Sequence, residues 1–108
     1  MNENKNSIIE ETFKLAIKKY QQNDLNEAQE LYNKVLEIDP NYSPAYNNLG
    51  ILFHKLKEYR KAIKHYQKAI KINPSYLNAH NNLGVLLYET NRLDEAEKIF
   101  KKAIKLKP

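Results

Sequence analysis

The chain has 108 residues, enough for one domain with a continuous core, and 18 basic against 13 acidic side chains leave a net charge of +5. It contains no cysteine, which excludes disulfides and thiolate metal sites, and it offers neither the apolar core of a signal peptide nor a membrane-spanning run, so a cytoplasmic protein with no membrane partner is expected. The charge is split along the chain: eight acids and five bases give −3 over residues 1–42, and five acids and thirteen bases give +8 over residues 43–108.

Residues 1–8 read as a polar N-terminal segment. Beyond them apolar residues recur at helical spacing and predict six amphipathic helices near 9–22, 25–38, 43–56, 59–72, 77–90 and 93–106. The middle pair shows the pattern, with Tyr46, Leu49, Leu52, Phe53 and Leu56 on one helix and Tyr59, Ala62, Ile63, Tyr66, Ala69 and Ile70 on the next. Short polar turns at Gln22-Asn23-Asp24, Leu56-Lys57-Glu58 and Thr90-Asn91-Arg92 join the helices in pairs. Asp39-Pro40-Asn41 and Asn73-Pro74-Ser75 separate the pairs, because proline cannot continue a helix and pushes the residue before it toward extended backbone.

The pairs are copies of one unit. Ala28, Ala62 and Ala96 recur at 34 residues, as do Pro40, Pro74 and Pro108, Leu15, Leu49 and Leu83, and Tyr32, Tyr66 and Phe100, which divides the chain into units at 9–42, 43–76 and 77–108. A fixed period of this size marks a repeat array, in which each unit buries its apolar face against its neighbours. Function is then carried by a shared surface rather than by an enclosed pocket. Gly50 and Gly84 lie inside predicted helices, where glycine costs about 1 kcal/mol relative to alanine, so close packing is expected to require them, with Ala62 and Ala96 as the expected opposing residues.

At this period the chain resembles the tetratricopeptide repeat family. The second unit carries that signature as Tyr46, Leu49-Gly50, Phe53, Ala62, Tyr66, Ala69 and Pro74, and the third as His80, Leu83-Gly84, Leu87, Ala96, Phe100, Ala103 and Pro108. The first unit matches at Leu15-Ala16, Ala28, Tyr32, Val35 and Pro40, but has Thr12 and Lys19 where the family places large apolar residues, which suits a terminal unit with one face in water. The resemblance covers residues 9–108 and implies an all-α, right-handed helical solenoid of three helix-turn-helix repeats, six helices in all, that binds other proteins and is not an enzyme.

It also implies that the first helix of each unit lines a concave groove. The groove positions would be Phe13, Ile17 and Tyr20, then Asn47, Asn48, Ile51 and His54, then Asn78, Asn81, Asn82, Val85 and Tyr88. An extended peptide or a helix would be anchored on Phe13, Ile17, Tyr20 and Ile51 and contacted by the amides of Asn47, Asn48, Asn81 and Asn82, since an amide offers a peptide backbone both a donor and an acceptor. The asparagines are similar to the ladder that lines the groove of O-GlcNAc transferase repeats, so the repeat segment of a longer glycosyltransferase-like enzyme is an alternative. A chaperone carboxylate clamp is argued against: the positions that hold lysine, asparagine, asparagine, lysine and arginine in such family members are Phe13, Ile17, Asn48, Asn78 and Asn82, of which Asn48 alone fits.

No constellation for chemistry is found, and no cofactor or metal is expected. His54, His65 and His80 lack metal-ligand spacing, and Ser7, Ser43 and Ser75 lack a nucleophile elbow. Lysines of the later units, such as Lys61, Lys64, Lys68 and Lys98, fall on second helices, which the resemblance places on the outer side; with two arginines in the chain, nucleic acid is disfavoured as a partner. A second alternative is self-assembly. Ile99, Phe100, Ala103 and Ile104 are expected to form an apolar end, able to meet the acidic first unit of another copy head to tail or its own counterpart by two-fold pairing.

Overall fold

The computed structural model describes residues 2–107, with side chains from Asn4 onward; Met1 and Pro108, the third proline of the series, lie outside the described residues. Among those described there are six helices and no strand: α1 (Asn2–Gln21), α2 (Leu25–Ile38), α3 (Ser43–Lys55), α4 (Tyr59–Ile72), α5 (Leu77–Glu89) and α6 (Leu93–Leu106). They form an elongated stack with extents of 44 × 29 × 19 Å. The helices pair within units as α1·α2, α3·α4 and α5·α6; units join where α3 packs on α2, α5 on α4, and α5 touches α3. Five helices match the sequence pattern closely, whereas α1 starts at Asn2 instead of near residue 9. No glycine or proline stands between Asn2 and Ile8 to stop it, and buried Ile9 fixes the helix from which the polar turns extend.

The turn inside each unit is built identically. Asn23, Lys57 and Asn91 take left-handed backbone at φ 63°, 62° and 63°. Around each, two crossed hydrogen bonds close the preceding helix: Asn23 N–H to the Tyr20 carbonyl and Asp24 N–H to Lys19, then Lys57 to His54 and Glu58 to Phe53, then Asn91 to Tyr88 and Arg92 to Leu87, all between 2.8 and 3.1 Å. This is the Schellman arrangement, which satisfies the last carbonyls of a helix and needs a residue that tolerates positive φ. Between units the chain instead leaves α2 and α4 through Asp39 and Asn73, whose side-chain oxygens accept the N–H groups of Asn41 (3.0 Å) and Ser75 (3.3 Å) across the prolines.

A continuous core runs through the stack from Ile9 to Ala96 by way of Tyr32, Leu49, Leu52, Tyr66 and Leu86. The glycines have a different packing partner from the one expected. A Cβ on Gly50 would lie 2.5 Å from Cε1 of Tyr66, and one on Gly84 would lie 2.6 Å from Cε1 of Phe100. Each glycine thus makes room for the aromatic ring four residues beyond the alanine, and Ala62 and Ala96 are themselves buried.

Candidate peptide-binding groove

Ile17, Tyr20 and Gln21 share one face of α1, and Asn48 and Ile51 share one face of α3, because residues three and four apart on a helix are neighbours. Their side chains surround an open cavity of about 210 Å³ whose floor is Tyr32 of α2. The lining is largely apolar, with the Asn48 amide set into it. Lys55 lies at one edge, its Nζ 5.2 Å from the centre of the Tyr20 ring, a cation–π contact that leaves the charge in water. Four of the groove residues read from the sequence, Ile17, Tyr20, Asn48 and Ile51, therefore meet at one place.

Phe13 does not join them. Its ring packs edge-on against Tyr32, with centroids 5.7 Å apart, and against Tyr42 at 5.2 Å, so it belongs to the junction between the first two units. Asn47 is also withdrawn from the surface: it is 4% exposed, and its Oδ1 accepts from Asn82 Nδ2 at 3.1 Å. From there the polar chain continues, with Asn47 Nδ2 donating to Asn48 Oδ1 (3.4 Å) and Asn48 Nδ2 donating to the Tyr32 hydroxyl (3.3 Å). Three of the four amides expected to face a ligand, Asn47, Asn48 and Asn82, thus tie all three units together. Asn48 is half-buried and retains an N–H for a ligand, since an amide nitrogen has two.

The Tyr32 phenol is raised above the ordinary tyrosine range by burial, an effect that the hydrogen bond from Asn48 partly offsets. Tyr76 is likewise raised by burial and partly lowered by Asn47. Both hydroxyls are therefore neutral partners in the network at ordinary pH. His54 bridges units, its Nε2 lying 2.9 Å from Oε1 of Glu89, and its ring meets Tyr59 edge-on at 5.9 Å.

The remaining candidates lie elsewhere. Asn78 is exposed near the start of α5, while Asn81 and Tyr88 border cavities of about 380 and 470 Å³ at the outer edge of the third unit, both of which include Phe100 and Ile104. Val85 is exposed on the same helix. Of the expected end residues, Ala103 is buried, Ile99 and Phe100 are half-buried, and Ile104 is 72% exposed. Sequence reading overlooked Tyr32 as the cavity floor, having assigned it to the repeat signature; the available signal was a core aromatic whose hydroxyl has to find a partner. Among the described residues no cluster of metal-ligating side chains occurs, and no helix is long and apolar enough to cross a membrane.

A model of the tetratricopeptide repeat matches residues 43–76 and 77–108, which is more than half of the chain. The chain belongs to the tetratricopeptide repeat family. A second model, described as TPR repeat, matches residues 18–57 and so straddles the first two repeats. Two crystal structures of MamA are similar at 28% identity over 91% of this chain, with TM-scores of 0.86 and 0.83. This chain spans 57% and 54% of those MamA chains, little more than half their length. The first tetratricopeptide domain of Spaghetti (RPAP3), bound to the HSP90 peptide SRMEEVD, has a TM-score of 0.87 over 94% of this chain and 81% of its own, and at 24% identity the likeness is one of fold. No curated protein matches the sequence.

Proposed function

We propose that this tetratricopeptide repeat chain is a protein-interaction scaffold that seats an apolar side chain of a peptide or helix in the α1–α3 cavity. The observation that supports this most directly is the cavity itself, an apolar recess between Ile17, Tyr20 and Ile51 with one incompletely used amide, Asn48, at its wall. Such a site fits an aliphatic or aromatic anchor flanked by a backbone group that accepts from Asn48. It lacks the pattern of a chaperone carboxylate clamp: Phe13, Ile17, Asn48, Asn78 and Asn82 place no cation where such a clamp has one.

Selection of displayed peptides on the intact protein tests the proposal. Peptides that bind should lose affinity by about tenfold or more, roughly 1.4 kcal/mol, on Ile17→Asp or Ile51→Asp, and should be indifferent to Ile104→Glu at the far edge. Selected peptides that bind both groove variants as well as the parent protein would remove the groove as the working surface.

A further inference from the structure

Helices α4 and α6 flank α5, and two cavities open in the trench between them. One, of about 350 Å³, has His80 as its floor, with Ile70 and Pro74 on one wall and Leu106 on the other. The next, of about 200 Å³, has Leu83 and Leu87 as its floor, between Gln67 and Ile99. Lys102 borders both, so they are neighbours along one trench, and Lys98 and Lys105 stand with it on the α6 rim.

The junction one period earlier shows what closes such a trench. There Tyr46, Phe53 and His65 stand where the third unit has His80, Leu87 and Ile99. The Phe53 and His65 rings are centred 4.9 Å apart and the Tyr46 and His65 rings 6.2 Å apart. Over this row fold Lys61 and Lys68, 5.4 and 5.9 Å from the centres of Phe53 and Tyr46. In the third unit tyrosine gives way to histidine, and phenylalanine and histidine to aliphatic side chains. His80 is also drawn inward: it is 3% exposed where Tyr46 is half-buried, and its Nε2 donates to the Pro74 carbonyl at 2.8 Å. Its Nδ1 is left a buried acceptor with no partner among the described residues. Lys68 and Lys71 are exposed and Ile72 is half-buried, as are Lys102, Lys105 and Leu106 in turn, although a whole unit follows the former three. The opening therefore comes from the side chains at the junction of the second and third units.

Charge and spacing define an occupant. Among the described residues Lys98, Lys102 and Lys105 form no ion pair. Glu95, the carboxylate that borders the smaller cavity, is already held by Arg92 at 2.9 and 2.7 Å. At i, i+4 and i+7 the three lysines share one face of α6 beside the apolar floor, a setting that attracts a chain carrying both carboxylates and aliphatic side chains. From His80 to the midpoint of Leu83 and Leu87 is five residues, about 7–8 Å along a helix axis. Residues i and i+2 of an extended strand lie about 6.5–7 Å apart and point to the same side.

We propose that the α4–α6 trench binds an extended acidic peptide segment, with aliphatic side chains at i and i+2 in the two cavities and carboxylates against Lys98, Lys102 and Lys105. It is a second protein-binding surface and shares no residue with the α1–α3 cavity.

The probe is a fluorescently labelled peptide in which two leucines, two residues apart, are set among aspartates; it is titrated into the full chain and followed by anisotropy. Saturable binding is expected, weakened about tenfold or more by joint Lys102→Glu and Lys105→Glu, and equally by His80→Tyr or Leu87→Phe, which restore rings that the second unit carries. Replacing the peptide's leucines with serine should cost as much, and Ile17→Asp should cost nothing. Absence of binding at millimolar peptide, or undiminished binding by variants whose folding circular dichroism confirms, would overturn the proposal; the lysine variants, at exposed positions, carry this test if a filled variant does not fold. Equal binding of the serine peptide would overturn it too, by showing an unspecific attraction for acids, as would loss of binding on Ile17→Asp, which would move the peptide to the α1–α3 cavity.

Discussion

Gly50→Ala should destabilise the protein by about 1–2 kcal/mol, while Gly84→Ala should leave its stability nearly unchanged, although both replace a mid-helix glycine in the same motif. Alanine gains about 1 kcal/mol over glycine in a helix interior, and that gain is common to both sites. At Gly50 the new methyl would lie 2.5 and 2.6 Å from two carbons of the Tyr66 ring, which is 1% exposed and enclosed by the following unit. Overpacking of this kind costs about 1–3 kcal/mol, and with α3 held by α2, α4 and α5 the upper half of that range applies. At Gly84 the clash is with Phe100, a half-buried ring beside the open cavities at the stack's edge, which can swing outward and bring the cost down to about the 1 kcal/mol that alanine gains. Ala16, fully buried, stands at the corresponding position of the first unit, where α1 packs on α2. Thermal and urea unfolding followed by circular dichroism would measure the difference, about 4–8 °C in midpoint for 1 kcal/mol in a domain of this size. A Gly50→Ala protein as stable as the parent, or a Gly84→Ala protein that loses more, would refute the assignment of the two rings.

Lys57→Gly should stabilise the protein by about 0.5–1 kcal/mol, because left-handed backbone costs an ordinary side chain about 1–2 kcal/mol and glycine returns part of that as chain entropy; an unchanged or lower urea midpoint would count against the turn geometry. Asn82→Ala should cost about 1–3 kcal/mol by leaving the buried Asn47 oxygen without its donor. A double-mutant cycle with Asn47→Ala that gives no coupling would show that the bond contributes nothing. The phenols of Tyr32, Tyr66 and Tyr76 are raised by burial above their ordinary value of about 10, so the folded state holds its protons longer than the unfolded one. Stability is then full below about pH 10 and falls as pH rises further, and the late phase of tyrosinate absorbance should coincide with loss of helical circular dichroism; tyrosinate completed while the helices persist would contradict it.

The architecture was legible because its causes are local. Apolar spacing made helices, proline ended every second one, and a shared offset of 34 residues linked Ala28 to Ala62 and Ala96, so six helices and three units followed without knowledge of any contact. The left-handed turn residue was half-legible: Asn23 and Asn91 are types that tolerate it, but Lys57 between them hides the rule. The partner of Gly50 was not legible, since the offset from Gly50 to Ala62 and that from Gly50 to Tyr66 are equally regular in sequence and only the crossing of α3 over α4 decides which side chain arrives.

The asparagines show why the site was harder to read than the fold. Asn47-Asn48 and Asn81-Asn82 are the same dipeptide at the same place in successive units, flanked by the same alanine, leucine and glycine. Adjacent residues on a helix point about 100° apart, so each pair sends one amide back toward the preceding unit and the other toward the following one. Asn48 and Asn82 both reach back, to Tyr32 and to Asn47. Asn47 and Asn81 both face forward, yet Asn47 is buried under α5 while Asn81 is exposed beside Phe100 and Ile104. Burial in this array is therefore a property of a residue's place in the stack rather than of its sequence surroundings. A change at Asn47 therefore acts on the joint between repeats, whereas the same change at Asn81 acts on a side chain already in water.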